Sequence, residues 1–246
     1  MKCWICEDRE ADSAEYNKKR SDIVREYGRG PYKGEQAPIL WRDGKFVLLQ
    51  GPNSDSLKFK KTICAQCNNS ESQPFDLAYD EFVDWLVNNE AAVIRRRFID
   101  FADVYGEDFA LPQLHLFKYF VKVFGCALRD QNHIVPADLV SLLREQHFMT
   151  ALSISMSVNE VVVLQPPDVQ SGFFGDSKVG IDDDVNFRKF YWKRHFRWLT
   201  VFISYGDPHG DQSSGRLGSI WIANKRVIYL GSDEISPFSF LAESAQ

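Results

Sequence analysis

The chain has 246 residues, 44% of them hydrophobic and 14% aromatic, and a net charge of −5. Those proportions suit a globular chain with a real core and exclude disorder; the acidic balance does not advertise nucleic-acid binding, although a local basic stripe can act inside an acidic chain. No apolar run approaches the roughly 20 residues of a membrane-spanning helix, and the start MKCWICEDRE has no apolar signal-peptide segment, so a cytoplasmic protein without a membrane partner is expected.

Residues 1–75 are rich in Cys, Asn, Ser, Lys and Gly. Within them Ser21–Gly28 reads as a short helix and Lys45–Gln50 as a strand, ended by the turn chemistry of Gly51-Pro52-Asn53. From Asp76 the apolar residues Leu77, Phe82, Trp85, Leu86, Val93 and Ile94 recur at helical spacing, which predicts a helix over Asp76–Phe98, broken near Asn88-Asn89. A second helix covers Pro112–Leu128, with Leu114, Phe117, Phe120, Val121 and Phe124 as its stripe. A third runs from Pro136, a good first-turn residue, to about Gln146. After Met149 the pattern becomes strand-like: Glu160–Leu164, Phe187–Trp192, Trp198–Tyr205, Ser219–Ala223 and Arg226–Leu230, with Asn224-Lys225 as a tight turn between the last two. Gln165–Ser177 and Gly206–Gly215 read as exposed loops. The expected fold class is α+β, divided into residues 1–75 (a zinc module), 76–149 (helical) and 150–246 (β-rich).

Four of the five cysteines form two C-x-x-C pairs, Cys3/Cys6 and Cys64/Cys67. A C-x-x-C turn presents two thiolates to one ion, and zinc takes four such ligands tetrahedrally, so the two pairs predict one structural Zn²⁺ that fastens the start of the chain to a distant turn. A redox pair needs only one C-x-x-C and leaves the other unexplained. Cys126, inside the apolar segment Leu114–Leu128, reads as a small buried hydrophobe.

Around these pairs stand Cys3-Trp-Ile-Cys6, then Asp12-Ser-Ala-Glu15-Tyr16-Asn-Lys-Lys-Arg-Ser-Asp22, then Ile63-Cys64-Ala-Gln-Cys67-Asn68-Asn69. In that order the first 75 residues resemble the zinc-bearing HNH endonucleases. The resemblance implies a treble-clef ββα-metal fold, hydrolysis of nucleic-acid phosphodiester bonds, DNA foremost, and a role in restriction or phage defence. It also implies a catalytic divalent cation such as Mg²⁺, which offsets charge at the phosphate while a base activates water. Glu15 matches the family's acidic position and Asn68 its last metal position; Tyr16 stands where the family has its histidine, and Asn53 is a candidate for the middle Asn. A phenol, with a pKa near 10, is a poor base at neutral pH unless its surroundings lower that value. The chain therefore reads as a binder that has lost cleavage, as an enzyme with another base, or as a nuclease silenced by a His-to-Tyr change. Outside the resemblance, Glu15 and Tyr16 also suit a plain zinc knuckle, and Asn68 a helix cap. A non-catalytic module that binds a protein partner is the alternative from a different class.

Basic residues flank this stretch. Lys18, Lys19 and Arg20 follow Tyr16, and Lys58, Lys60 and Lys61 precede the second cysteine pair, where contacts to phosphate would be needed. Each run also suits a solvated face. The mixed stretch Arg188–Trp198 reads foremost as a strand with aromatics toward the core and cations toward water, with base stacking as the other possibility. Arg95-Arg96-Arg97 suits a helix C-terminus. The five histidines are scattered and show no ligand spacing.

Overall fold

The computed structural model describes residues 1–34, 37–42, 45–145, 150–165, 173–175, 179–184, 187–206, 218–221 and 223–234. Its centre is the helix α5, Ala110–Asp130. By rise alone it is about 31 Å long, and it is buried on all sides from Leu116 to Leu128, as expected of a helix that is apolar all round rather than along one stripe. Cys126 lies in it, fully buried.

The N-terminal segment wraps one end of α5. A knuckle through Cys3–Cys6 closes with Glu7 N–H donating to Cys3 O at 2.8 Å, and Lys2 bridges Glu10 antiparallel. Ser13 then pairs with Ile63, just before the second cysteine turn. The helix α1 spans Arg20–Tyr27. The strands β1 (Ile39–Arg42) and β2 (Lys45–Leu48) form an antiparallel pair. After Cys64 a π-helical turn, Gln66–Glu71, runs into α2, Gln73–Asn88. The expected interruption falls at Asn89, beyond which α3 covers Glu90–Arg96 and stops at Arg97 in the left-handed region, φ 59°.

The remaining elements are β3 (Phe98–Asp100), α4 (Phe101–Tyr105), α6 (Ala137–Arg144, with Pro136 as N-cap), β4 (Leu152–Asn159), α7 (Glu160–Val163), β5 (Phe173–Gly175), β6 (Gly180–Asp184), β7 (Phe187–Phe196), β8 (Leu199–Tyr205), β9 (Val227–Tyr229) and β10 (Gly231–Asp233). They complete a five-stranded sheet ordered β10-β4-β8-β7-β6, a three-stranded sheet β2-β1-β5 and a two-stranded sheet β3-β9. The three stretches of sequence interleave. Strand β1 pairs in parallel with β5, β3 pairs antiparallel with β9, and one apolar cluster runs from Cys3 through α5 to Leu230. Trp221 anchors it, with ring centroids 5.4 Å from Phe101 and 5.2 Å from Phe117.

Several expectations are corrected. Glu160–Leu164 is not a strand. The Asn159 side chain accepts from Val162 N–H at 3.0 Å and turns the chain into α7, so a local cap overrides the β-branched run. Strand β4, whose apolar positions alternate with serines, is an interior strand of the large sheet, between β10 and β8, that the sequence pattern does not predict. Strand β9 takes β3 as its ladder partner; Ser219 contributes a single backbone bond to Tyr229 O at 2.9 Å, and Trp221 bridges Ile154. In β7, Phe190 and Trp192 face the core as expected, but Arg194 is buried with them, its guanidinium 5.0 Å from the Trp192 ring centroid and bonded to Asn17 O. Part of the expected loop Gln165–Ser177 is β5; apart from Gln165 the rest, like most of Gly206–Gly215, lies outside the described residues, as do His147 and His209. No helix among the described residues is long and apolar enough to cross a membrane.

Candidate metal centre and adjoining cleft

The four cysteine sulfurs lie within 4.8 Å of one another. A tetrahedral zinc with Zn–S bonds near 2.3 Å sets its sulfurs about 3.8 Å apart, and Cys6 Sγ and Cys64 Sγ stand at 3.9 Å. The set can hold a metal ion such as zinc. Its surroundings favour thiolate on half of the ligands. Burial pushes Cys6 up, but the Arg9 and Asp8 N–H groups outweigh it and bring the thiol down to about 6. Cys64 is also lowered, against its burial, by Cys67 N–H and the Arg9 guanidinium; burial raises Cys3 and Cys67. Arg9 donates to Cys64 Sγ at 3.2 Å and to Cys67 Sγ at 3.4 Å, and pairs with Glu71 at 2.8 Å. A four-thiolate zinc carries a net charge of about −2, so this guanidinium opposes it directly.

Beside the cysteines a cleft of about 580 Å³ opens between the Asp12–Tyr16 segment, α1 and the start of α2. Glu15, Tyr16, Asn68, Lys19, Arg20, Lys58 and Lys61 all line it. Asn68 ties the cleft together: its amide donates to Ser13 Oγ at 2.9 Å and to Ala14 O at 3.4 Å. Tyr16 bridges Lys58, whose ammonium lies 5.4 Å from the Tyr16 ring centroid.

Two of the expected phosphate-binding lysines lie elsewhere. Lys18 is buried and donates to His195 O at 3.0 Å, and Lys60 donates to Asp130 O at 2.7 Å at the end of α5. Asn53, in the turn before the 3₁₀ turn Asp55–Leu57, does not line the cleft either. None of the described histidines lines it.

The chemistry of Glu15 differs most from the expectation. Its carboxylate is buried; Oε1 accepts from Tyr16 N–H at 2.8 Å and Oε2 pairs with Lys122 Nζ at 2.5 Å. Lys122 is fully buried in α5 and also reaches Asp76 Oδ2 at 3.0 Å and Ser72 Oγ at 3.1 Å. Burial alone lowers an ammonium's pKa; here the Glu15 and Asp76 charges overcome it and raise Lys122. Sequence reasoning missed Lys122 and Asp76. The signal was there: two lysines, Lys118 and Lys122, interrupt an otherwise apolar run destined for burial. Lys118 has a purely structural partner, the α6 end, where it donates to Glu145 O at 2.7 Å.

The other carboxylates of the cleft are also compensated. Asp76 and Asp80 pair with Lys19 at 3.4 and 3.0 Å, Asp55 pairs with Lys58 at 2.9 Å, and Asp12 accepts from Ala65 N–H at 2.7 Å. Arg25 adds to Asp80 at 3.2 Å and ties α1 to α2. Arg20 and Lys61 are exposed at the rim, and their side chains make no hydrogen bond or ion pair among the described residues. Arg20 and Lys61 are thus the rim cations left to meet a ligand, in a cleft whose lining carries five carboxylates against four basic side chains.

No family model matches the chain, and neither a curated protein nor a solved structure matches it.

Proposed function

We propose that the N-terminal segment is a zinc-bound treble-clef module of the HNH type, and that the chain binds nucleic acid, DNA foremost, along this cleft without cutting it. The observation that carries the reading is the convergence of Glu15, Tyr16 and Asn68 on one cleft rimmed by Arg20 and Lys61. The order of elements supports the fold assignment: a cysteine knuckle, an antiparallel step through Ser13 and Ile63, then a helix opened by the second cysteine pair. Two features favour binding over cleavage. The position expected to hold a general base carries the Tyr16 phenol, and both Glu15 oxygens are already engaged by the protein.

Fluorescence anisotropy on a labelled duplex tests the reading. The zinc-loaded chain binds, and Arg20→Ala with Lys61→Ala weakens binding and flattens the slope of log affinity against log salt by about 2, near 0.9 for each phosphate no longer neutralised. Unchanged affinity and slope in that variant would overturn the assignment of the cleft. Plasmid incubated with Mg²⁺, Mn²⁺ or Ni²⁺ stays intact; nicking that Glu15→Ala abolishes would refute the non-cutting reading. A second reading, docking of a protein, draws on Phe46 and Leu48, exposed at 56% and 60% two residues apart on β2. Phe46→Ser with Leu48→Ser leaves duplex affinity unchanged if the cleft is the binding site.

A further inference from the structure

The family resemblance calls for a divalent cation held by Glu15 and Asn68, and the residues present do not fit one. A magnesium ion needs about six oxygen ligands at 2.0–2.1 Å in octahedral array. Both Glu15 oxygens already have a partner, one a backbone N–H and the other the Lys122 ammonium, which also offsets the charge that a metal ion would neutralise. Asn68 uses its amide N–H groups to fasten the segment carrying Glu15, through Ser13 and Ala14, and its neutral carbonyl oxygen alone is far short of a magnesium ion's ligand set.

An ammonium has three donors, and Lys122 has three acceptors around it, from Glu15, Asp76 and Ser72. Its donors are thus fully used, which is what a buried charge requires. The acceptors come from three different places: the segment after the knuckle, the residue preceding α2, and the first turn of α2. Glu15 and Asp76 line the cleft. Lys19 closes the same charge system from the solvent side, with Asp76 between the two ammonium groups.

We propose that the Lys122 ammonium is the resident cation of this site, satisfying Glu15 and Asp76 from the core side in place of a divalent metal, and that the cleft therefore recognises phosphate without any divalent ion. The inference rests on the nucleic-acid reading only for its last clause. Lys122 reaches the carboxylates from inside the core, along a helix buried on every side, so a hydrated ion arriving through the cleft would have to expel a covalently attached cation.

Mn²⁺ titration of the full zinc-loaded chain, read by electron paramagnetic resonance of free Mn²⁺, tests this directly. Divalent ions are omitted rather than chelated, so that the cysteine-bound metal stays in place. The native chain shows no Mn²⁺ site that Glu15→Gln removes. Lys122→Met, with folding verified by circular dichroism and retained zinc, gains Mn²⁺ affinity of at least about tenfold, because two carboxylates have lost their positive neighbour; Glu15→Gln in that background abolishes the gain. A native Mn²⁺ site lost in Glu15→Gln overturns the proposal, and so does a folded Lys122→Met chain that gains nothing. Should Lys122→Met fail to fold, the native and Glu15→Gln titrations decide alone. Duplex affinity at constant ionic strength is the same with and without Mg²⁺. A chain that binds no duplex removes the nucleic-acid reading, and the Mn²⁺ titration then judges Lys122 by itself.

Discussion

Gly125 lies inside α5, where helix propensity alone favours alanine by about 1 kcal/mol. The packing reverses that sign. A Cβ at position 125 would stand 2.4 Å from Trp4 Cη2 and 2.5 Å from Cζ2, whereas carbons in contact rest at about 3.5–4.0 Å. Trp4 has little room to retreat: it is buried between the two cysteines of the knuckle, and its backbone N–H bonds to Thr62 O at 3.3 Å. Overpacking of this kind costs about 1–3 kcal/mol, and an overlap of this size belongs at the upper end. After the propensity gain, Gly125→Ala should destabilise by about 2 kcal/mol, which for a chain of this length lowers Tm by about 4–8 °C. Thermal unfolding of the zinc-loaded chain measures it, with zinc release to a colorimetric chelator followed in parallel because the displaced ring carries the knuckle with it. Trp4→Leu should relieve the clash, so the double variant is more stable than the two single losses predict, by about 1 kcal/mol or more. A rise in Tm for Gly125→Ala would mean that the knuckle does not dock on α5, and the placement of Glu15 against Lys122 would fall with it.

Cys64→Ser should release zinc and unfold at least residues 1–75, seen as lost metal content and a lower Tm; unchanged values of both would remove the metal centre. Arg9→Ala leaves the thiolates without their opposing charge and should weaken zinc retention by about 10–100-fold in a competition titration, with Arg9→Lys between the two. His195 bonds to Thr200 Oγ at 3.0 Å, and burial, with Lys18 nearby, pushes its imidazole down to about 3. The unfolded chain takes up that proton near its ordinary value of about 6.5, so stability falls as pH drops from about 6.5 toward 3, by at most about 1.4 kcal/mol per pH unit. Asp233 opposes this shift and Lys193 adds to it. His195→Gln should flatten denaturant midpoints over that window; an unchanged slope would show that another group sets it.

The cysteine pairs were legible because ligand spacing is a local property. Two C-x-x-C turns predict one ion wherever the intervening chain goes, and the four sulfurs do meet. The helices were legible for a similar reason, since apolar period and Pro136 or Asn89 punctuation act within a few residues. Failures occurred where a single side chain or a distant partner decides the outcome. Asn159 turned a valine-rich run into a helix, and β9 chose β3, more than a hundred residues earlier, over its neighbour across Asn224-Lys225. The site followed the same division. Glu15, Tyr16 and Asn68 could be named from motif order, but the partner that defines Glu15 comes from α5, 107 positions later, and no local pattern links 15 to 122.

Lys122 gives the cleft an energetic character unlike that of a metal site. One ammonium joins the segment after the knuckle, the end of the second cysteine turn, α2 and α5, so the same atom sets the geometry of the site and helps to hold the N-terminal segment on the core. Removing one partner of a buried pair typically costs about 3–5 kcal/mol, because the remaining charge is left buried and uncompensated. The two sides of this pair differ. Lys122→Met leaves two carboxylates; Asp76 is 28% exposed on its side chain and keeps Lys19, whereas Glu15, at 6%, keeps only a backbone N–H. Glu15→Gln leaves the ammonium with Asp76, Ser72 and a neutral carbonyl oxygen, so its donors stay satisfied, and the cost is a neutral one, the amide NH2 turned toward the Tyr16 N–H. Lys122→Met should therefore lower the urea midpoint clearly more than Glu15→Gln does. Equal losses would mean that water already reaches Glu15, and a carboxylate within reach of water would be open to a hydrated metal ion as well.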